Sequence, residues 1–188
     1  ERARAADRKA AAPDLPEPPS RALVVQAVSG RGVSGKLWID PPTIGEASIA
    51  FGREGKLAST QTLSELLACS GAIEGPAVEV SDDWSCVELG RRARELLLRE
   101  IVGMYDALAD AYLEASTGEQ LEPILGQRLR QLVTIRDEPG AARSVLRRAL
   151  IRMHAEVRSG HAWSSERHRK LYRKLCELPL LPLHDGRN

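Results

Sequence analysis

The chain has 188 residues, of which 43% are hydrophobic and 28% are charged. This length accommodates one domain, or two small ones, with an apolar core. Lys and Arg number 27 and Asp and Glu 26, so the formal net charge is +1. No overall field therefore favours nucleic acid or an anionic membrane. Aromatic residues make up only 4% of the chain, which argues against an extended base-stacking surface.

The cysteines indicate a reducing compartment. Cys69, Cys86 and Cys176 are odd in number, widely spaced and without a C-x-x-C pair, so they form neither a disulfide framework nor a zinc knuckle. We therefore expect a cytoplasmic location. No run approaches about 18 apolar residues, and no membrane contact is predicted. Richness in Ala, Arg, Leu and Gly is typical of a GC-rich bacterial genome.

Residues 1–20 are predicted to be a Pro-rich linker or tail. Their first twelve residues are mainly Ala and charged residues, which is compatible with a frayed helix. Four prolines follow and favour extended backbone. They are Pro13, Pro16, Pro18 and Pro19.

Residues 21–83 are predicted to form a β-rich subdomain. Runs of β-branched residues and apolar–polar alternation indicate a small, mostly antiparallel sheet of four or five strands. The segment Gln61–Cys69 fits a helical turn or a short strand equally well, and the structure of 61–76 stays open. The predicted strands are Ala22–Val28, Val33–Asp40, Glu46–Phe51, Lys56–Thr60 and Ala77–Val80.

Residues 84–177 are predicted to form a helical subdomain. The longest helical pattern covers Ser85–Thr117, and Ser85 with Glu88 matches an S-x-x-E capping box. Trp84 would then pack on the first turn or serve as an exposed anchor. Two adjacent apolar rows predict a helix packed on more than one side. The rows are Ala93, Leu97, Ile101, Met104, Leu108 and Tyr112, and Leu98, Val102, Tyr105, Ala109 and Leu113.

Three further helices complete a predicted bundle of about four. They cover Glu122–Arg136, Ala141–Val157 and a segment that begins after Ser164-Ser165 and ends near Glu177. Residues 178–188 are extended and end at Asp185-Gly186, a hairpin signal. We expect this strand and turn to continue beyond the sequence, as the start at Glu1 without methionine also suggests. The predicted fold class is α+β.

Three histidines and one cysteine raise the possibility of a metal site. His154, His161 and His168 recur every seven residues, and Cys176 follows. Imidazole and thiolate groups suit zinc. However, Ser159-Gly160 interrupts the helical pattern, and helical ligands are normally three or four residues apart. We therefore predict surface histidines and no metal ligands.

Two basic helix faces offer a second kind of site. A row of cations on a helix can bind a phosphate backbone, but a solvated face balanced by acids elsewhere is the commoner arrangement. No helix-turn-helix, RNA-recognition or zinc-finger pattern accompanies these rows. The rows are Arg143, Arg147, Arg148 and Arg152, and Arg167, Arg169, Lys170, Arg173 and Lys174.

No catalytic or cofactor residue is predicted. The glycine-rich stretch Gly30–Gly35 lacks the G-K-[ST] ending of a phosphate loop and leads into a strand, so a turn or bulge is favoured. No serine has a G-x-S-x-G context, and no triad can be argued. Asp82-Asp83 reads as charge near a helix N-terminus rather than as a metal pair.

The closing residues resemble a sequence motif found in a family of large ATPases. Glu177–Arg187 reads ELPLLPLHDGR, which is similar to the "L-P-L-hydrophobic-P-T-x-D-G-R" phrase of ATPases related to the ninety-kilodalton heat-shock chaperones, including sacsin-type proteins. Leu183 stands where threonine is usual. The strand Gly32–Ile39 and the hairpin around Gly52 and Gly55 are similar to a β-rich segment of bacterial members. The resemblance implies a module downstream of the nucleotide domain, and it carries over no catalytic residue.

These observations lead to three hypotheses of function. The first is a non-catalytic middle or C-terminal module of a heat-shock-chaperone-like ATPase, acting through protein contact or dimerisation. The second is a nucleic-acid-binding module that uses the basic helices 141–157 and 165–177. The third is an enzyme with an unrecognised site, which would require a pocket with displaced pKa values.

Overall fold

The computed structural model describes residues 12–40, 46–65, 67–82, 84, 86–117, 139–160 and 165–180. By their contacts the residues divide into two compact units, 1–104 and 105–188. The division falls within one long helix, between Met104 and Tyr105. The first unit contains two β-sheets and the start of this helix, and the second contains helical segments. The predicted α+β class is thus confirmed.

Five strands form the main sheet of the first unit, in the spatial order β1-β2-β5-β3-β4. Every neighbouring pair is antiparallel except β3 with β5, which is parallel. The sheet is therefore mixed and larger than the small sheet that was predicted. The strands are β1 (Val24–Gly30), β2 (Val33–Ile39), β3 (Ala47–Arg53), β4 (Lys56–Leu63) and β5 (Ser70–Glu74).

Tight loops set the register of the two hairpins. Arg31 and Gly32 connect β1 to β2, and Glu54 and Gly55 connect β3 to β4. All four residues have positive φ, between 54° and 77°. Positive φ at both loop positions matches the right-handed twist of the flanking strands. The predicted hairpin around Gly52 and Gly55 is confirmed, and Gly30–Gly35 contains the β1–β2 loop.

The first helix is α1 (Arg91–Thr117), and its part within the first unit contacts β1 on one face of the main sheet. Gln26 of β1 lies opposite Leu37 in the sheet and hydrogen-bonds Glu100 of α1 at 3.4 Å. Leu96 of α1 lies beside Gly30, at the other end of β1, so α1 runs antiparallel to this strand. Large aliphatic and aromatic side chains on this face are fully buried. They are Leu37, Ile39, Ile49, Phe51 and Ile73.

The opposite face of the sheet is covered by the segment that precedes β1. Trp38 packs with Ala22, Ala50 and Ala72, and Leu15 packs against this cluster. Two backbone hydrogen bonds anchor the segment: the amide of Leu15 donates to Gly55, and that of Leu57 donates to Pro13. Ion pairs reinforce it, from Lys36 to Glu17 and from Lys56 to Asp14. The described part of the predicted linker, residues 12–20, thus packs on the sheet.

A separate two-stranded sheet precedes α1 and corrects the predicted helix start. Strand β6 (Val78–Val80) pairs with β7 (Val87–Leu89), which places Glu88 opposite Glu79. Glu88 is therefore a strand residue, and the predicted capping box with Ser85 is wrong. The helix begins at Arg91, after Gly90, whose carbonyl accepts the first helical hydrogen bonds from Ala93 and Arg94.

Trp84 does not occupy the position that one of its two predicted roles, packing on the first turn of α1, requires, and its role as an anchor stays a prediction. Its amide donates to Ser81 in the β6–β7 turn, and its φ is +60°, a conformation uncommon for a bulky residue. It therefore lies in a turn ahead of β7 rather than on the first turn of α1. The first of the two apolar rows predicted on α1 is confirmed as a packed face. All six of the first row, Ala93 to Tyr112, are buried.

The second unit contains the end of α1 together with α2 (Pro139–Arg158) and α3 (Glu166–Glu177). These match the predicted helices 141–157 and 165–177, although α2 already starts at Pro139, where proline suits a first helical position. Three helices are described instead of about four, because the predicted helix Glu122–Arg136 lies outside the described residues. Of the predicted extended segment 178–188, only residues 178–180 are described, and Leu178 and Leu180 are buried.

Candidate interaction surface on the helical unit

The histidines considered as zinc ligands lie in different surroundings. His154 is exposed on α2, and His168 is buried on α3. His161 lies outside the described residues. Within the described part of the chain, no group of three or more His, Cys, Asp or Glu side chains is placed to hold a metal ion.

His154 and Tyr172 join α2 to α3 at the surface. His154 Nδ1 and Tyr172 Oη are 2.8 Å apart and share a hydrogen bond, and their rings are stacked with centroids separated by 6.4 Å. Burial raises the pKa of Tyr172, and the neighbouring Cys176 side chain acts in the same direction. Tyr172 and Cys176 lie on one edge of α3, and the contact of Tyr172 with His154 is polar packing between the two helices.

The prediction of a surface histidine is wrong for His168, which is buried between helices and only 8% exposed. Burial lowers its pKa below the ordinary value, and the nearby Glu156 carboxylate of α2 opposes this only in part. Because residue 154 faces residue 172 while Glu156 lies near His168, α2 and α3 run antiparallel. The imidazole is thus held neutral between two helices near neutral pH.

Three of the five cations of α3 form ion pairs within the molecule. Arg169 and Arg173 both pair with Glu166, at 2.8 and 3.0 Å. The hydrogen bond from Arg169 is the main reason that the pKa of Glu166 is lowered. On the other flank of α3, Lys174 lies 2.5 Å from Asp106 and 2.8 Å from Asp110 of α1. Three of the five cations of the predicted basic face of α3 are therefore paired, whereas no ion pair among the described residues involves Arg167 or Lys170.

Lys174 is held in its charged form by this pairing. Burial on its own would lower its pKa, but the hydrogen bonds and charges of Asp106 and Asp110 outweigh burial and raise it. Asp106 and Asp110 are four residues apart on α1 and so face the same side of that helix. The two carboxylates would repel each other without the ammonium group between them.

The cations of α2 are arranged differently. This helix contains five arginines and a single acid, Glu156, which pairs with Arg152 at 3.3 Å. Arg148 donates to Ser144 at 2.8 Å. No ion pair among the described residues involves the remaining arginines. They are Arg143, Arg147 and Arg158.

These three arginines form one exposed stripe with an aliphatic residue in its middle. We call the exposed stripe the outer face of α2, and its members recur at helical spacing. Ile151 is 53% exposed, and Arg147 lies one turn before it. The buried face of α2 uses other positions, such as Leu146 and Met153. The outer face comprises Arg143, Arg147, Ile151 and Arg158, and His154, which lies between the last two, is engaged by Tyr172 of α3.

Sequence reasoning identified Arg143 and Arg147 as part of a basic row but did not include Ile151 or Arg158. Helical spacing could have found both, since Ile151 follows Arg147 by four residues and Arg158 follows Ile151 by seven. It also grouped Arg148 and Arg152 with this row. The structure instead places these two side chains in contacts within the helix.

The comparisons with known proteins assign no family. A scan against protein-family models and a search of curated protein sequences returned no match to this chain. Among the described residues, no helix is both long enough and apolar enough to cross a membrane. Residues 181–187, seven of the eleven that carry the heat-shock ATPase resemblance, lie outside the described residues.

Proposed function

We propose that this chain is a non-catalytic protein-contact module of a heat-shock-chaperone-like ATPase. The observation that carries the protein-contact role is the outer face of α2, where Ile151 is exposed among Arg143, Arg147 and Arg158. An uncovered aliphatic side chain within a charged rim is a common feature of protein interfaces. The ATPase context rests on the resemblance of Glu177–Arg187 to the phrase of that family.

Two measurements test this role. The purified chain is expected to release no phosphate from ATP above the rate of a buffer control, and turnover by the chain itself would reject the non-catalytic assignment. The coding sequence that flanks the chain tests the family. A GHKL-type nucleotide-binding domain upstream supports the heat-shock ATPase context, and an unrelated domain there removes it.

A nucleic-acid-binding module is the second candidate, and one observation favours it. Helix α2 carries five arginines against one glutamate, and Arg143, Arg147 and Arg158 have no described acidic partner. A phosphate-binding face would give affinity that falls steeply with salt. Retention on DNA or RNA at low salt, abolished by Arg147→Gln, supports this candidate. No retention at low salt removes it.

A further inference from the structure

We infer that the outer face of α2 binds an acidic amphipathic helix from a partner protein. The inference rests on the protein-contact role proposed above and specifies the partner's chemistry. Such a helix would place one apolar side chain against Ile151 and carboxylates within reach of the flanking arginines. The arguments concern charge, apolar surface, symmetry and length.

Charge selects an acidic partner. Arg143, Arg147 and Arg158 present three positive charges on one stripe, and the one acid of α2, Glu156, is engaged by Arg152 and lies near His168. The charged residues of the outer face are therefore all positive, whereas Arg169 and Arg173 of α3 share the carboxylate of Glu166. A face of one sign is matched by a partner of the opposite sign, which speeds encounter and fixes orientation.

The exposed isoleucine favours a peptide partner over a nucleic acid. Ile151 leaves 53% of its surface in water at the middle of the arginine stripe. A phosphodiester chain offers its charge but no apolar group to cover this side chain. An amphipathic helix offers both, since apolar and acidic residues can alternate at helical spacing along one face.

Symmetry excludes a second copy of the same face. In a two-fold contact the same patch meets itself, so arginine would face arginine around the Ile151 pair. Like charges brought together in an interface cost several kcal/mol. The occupant is therefore a different segment with its own acidic residues.

The length of the stripe sets the length of the partner. Arg143 and Arg158 are 15 residues apart in one continuous helix, a rise of about 22 Å. A partner helix of about four turns covers this distance. Its apolar anchor lies near its centre, with Asp or Glu one to two turns away on both sides.

A binding measurement with a defined probe tests the inference. The probe is a fluorescein-labelled acidic amphipathic helical peptide of about four turns, with leucine at its centre and glutamates on both sides. Its binding to the full chain is followed by fluorescence anisotropy. Arg147→Gln and Ile151→Ser are each expected to weaken binding about tenfold, which corresponds to about 1.4 kcal/mol. Added salt is expected to weaken it as well.

Matched controls separate this surface from general charge and hydrophobicity. Arg173→Gln removes an arginine that is paired with Glu166 on α3, and Val157→Ser removes an exposed aliphatic residue that lies on α2 outside the stripe. Both are expected to leave affinity within about twofold of the wild type. Circular dichroism and thermal melting verify that each variant is folded.

The outcomes separate failure of the inference from failure of the proposed role. Binding that responds to Arg147→Gln and Ile151→Ser but not to the controls supports both. Binding of the probe that all four variants leave unchanged overturns the α2 assignment and leaves a protein-contact role standing. Absence of probe binding, together with Arg147-dependent binding of a DNA or RNA duplex or of anionic lipid vesicles, overturns both. No binding to any of these probes overturns the inference alone.

Discussion

The ammonium group of Lys174 on α3 lies 2.8 Å from the carboxylate of Asp110 on α1. The same nitrogen also contacts Asp106, one turn earlier on α1. The two helices are 64 residues apart in sequence at these positions (174 − 110 = 64), so this cluster is a long-range connection within the helical unit. It also removes one cation from the surface that α3 would otherwise present.

Replacement of Lys174 by methionine is expected to destabilise the protein by about 1–2 kcal/mol. The change leaves Asp106 and Asp110 facing each other without a cation, in a place that is only partly open to solvent. Urea denaturation followed by circular dichroism measures the loss.

The pH dependence of this loss follows from the raised pKa of Lys174. Its stabilising effect is fully present below the unfolded pKa and disappears as pH rises through the folded value. As pH rises above neutral, the difference in the free energy of unfolding between wild type and Lys174→Met should therefore narrow only once the pH is strongly alkaline. A gap that is already absent at neutral pH would show that the cluster does not stabilise the fold. Arg169→Met, whose partner Glu166 is exposed, is the control and should have a smaller effect.

Acidification is expected to destabilise the α2–α3 pair through His168. Burial lowers its pKa below the ordinary 6.5, so between the two values the unfolded state binds more protons than the folded state. Stability is therefore fully present above about pH 6.5 and falls as pH drops through the folded pKa. The free energy of unfolding, measured by urea titration at a series of pH values, should decrease in this window.

A His168→Leu variant should show a flatter profile in the same window, because the titrating group is gone. Carboxylates titrate at lower pH in both proteins. The dependence of the free energy of unfolding on pH is therefore compared near and just below pH 6.5. Identical slopes for the two proteins would refute the role of His168.

Two of the three thiols are expected to react readily with a thiol reagent. Cys86 and Cys176 are exposed, whereas Cys69 is buried and its pKa is raised by burial from 9.0 to about 12. Thiolate is the reactive form, so Cys69 is both inaccessible and protonated. Titration of the folded chain with a chromogenic disulfide should report two thiols, and the third should appear only in denaturant. Three fast thiols in the folded protein would contradict the packing around β5.

Alanine at Gly71 is expected to destabilise the sheet by about 1–3 kcal/mol. A methyl group there would lie 2.5 Å from Leu37 Cδ2 and 3.0 Å from Ile49 Cδ1, the side chains on the strands to either side. Both must move, within a fully buried layer. Thermal melting measures the loss of stability. An unchanged melting temperature would show that the layer accommodates the methyl group without a clash.

Gly103→Ala is the matched control and should act in the opposite direction. Gly103 is exposed within α1, and a methyl group there would meet nothing within 4 Å. Alanine is favoured over glycine in a helix interior by about 1 kcal/mol. The same melting experiment should show a gain in stability. A loss at Gly103 would mean that this surface of α1 has a contact that the structure does not show.

The sequence predicts those parts of the fold that local patterns determine. Strands β1 to β4 and the apolar rows of α1 follow from alternation and helical spacing. Strand β5 is not predicted, because its residues, Ser70–Glu74, include glycine and alanine in place of β-branched side chains. The reason is its central position: Gly71 makes room for Leu37 and Ile49, which reach over it from both sides.

The error at the start of α1 has a comparable cause. Ser85 and Glu88 match a capping box when only neighbouring residues are considered. The pairing of β7 with β6 overrides it, and that pairing depends on residues Val78–Val80 earlier in the chain. Tertiary pairing therefore decides where the helix begins.

For the candidate surface, sequence reasoning locates the basic rows but cannot identify which cations remain free. The pairing of Glu166 with Arg169 follows from its spacing along one helix. The pairing of Lys174 with Asp106 and Asp110 does not, since it depends on how α3 packs on α1. Which arginines and lysines of α2 and α3 are paired therefore required the structure.

The position of β5 between β2 and β3 has a consequence for how the sheet is assembled. Each hairpin, β1–β2 and β3–β4, is contiguous in sequence, yet the two meet only through the strand that follows both of them. A nascent chain that has emerged only as far as Leu63 possesses two isolated ribbons, and such ribbons are marginally stable in water. Synthesis of the next eleven residues (74 − 63 = 11) supplies the strand that joins them into a single layer.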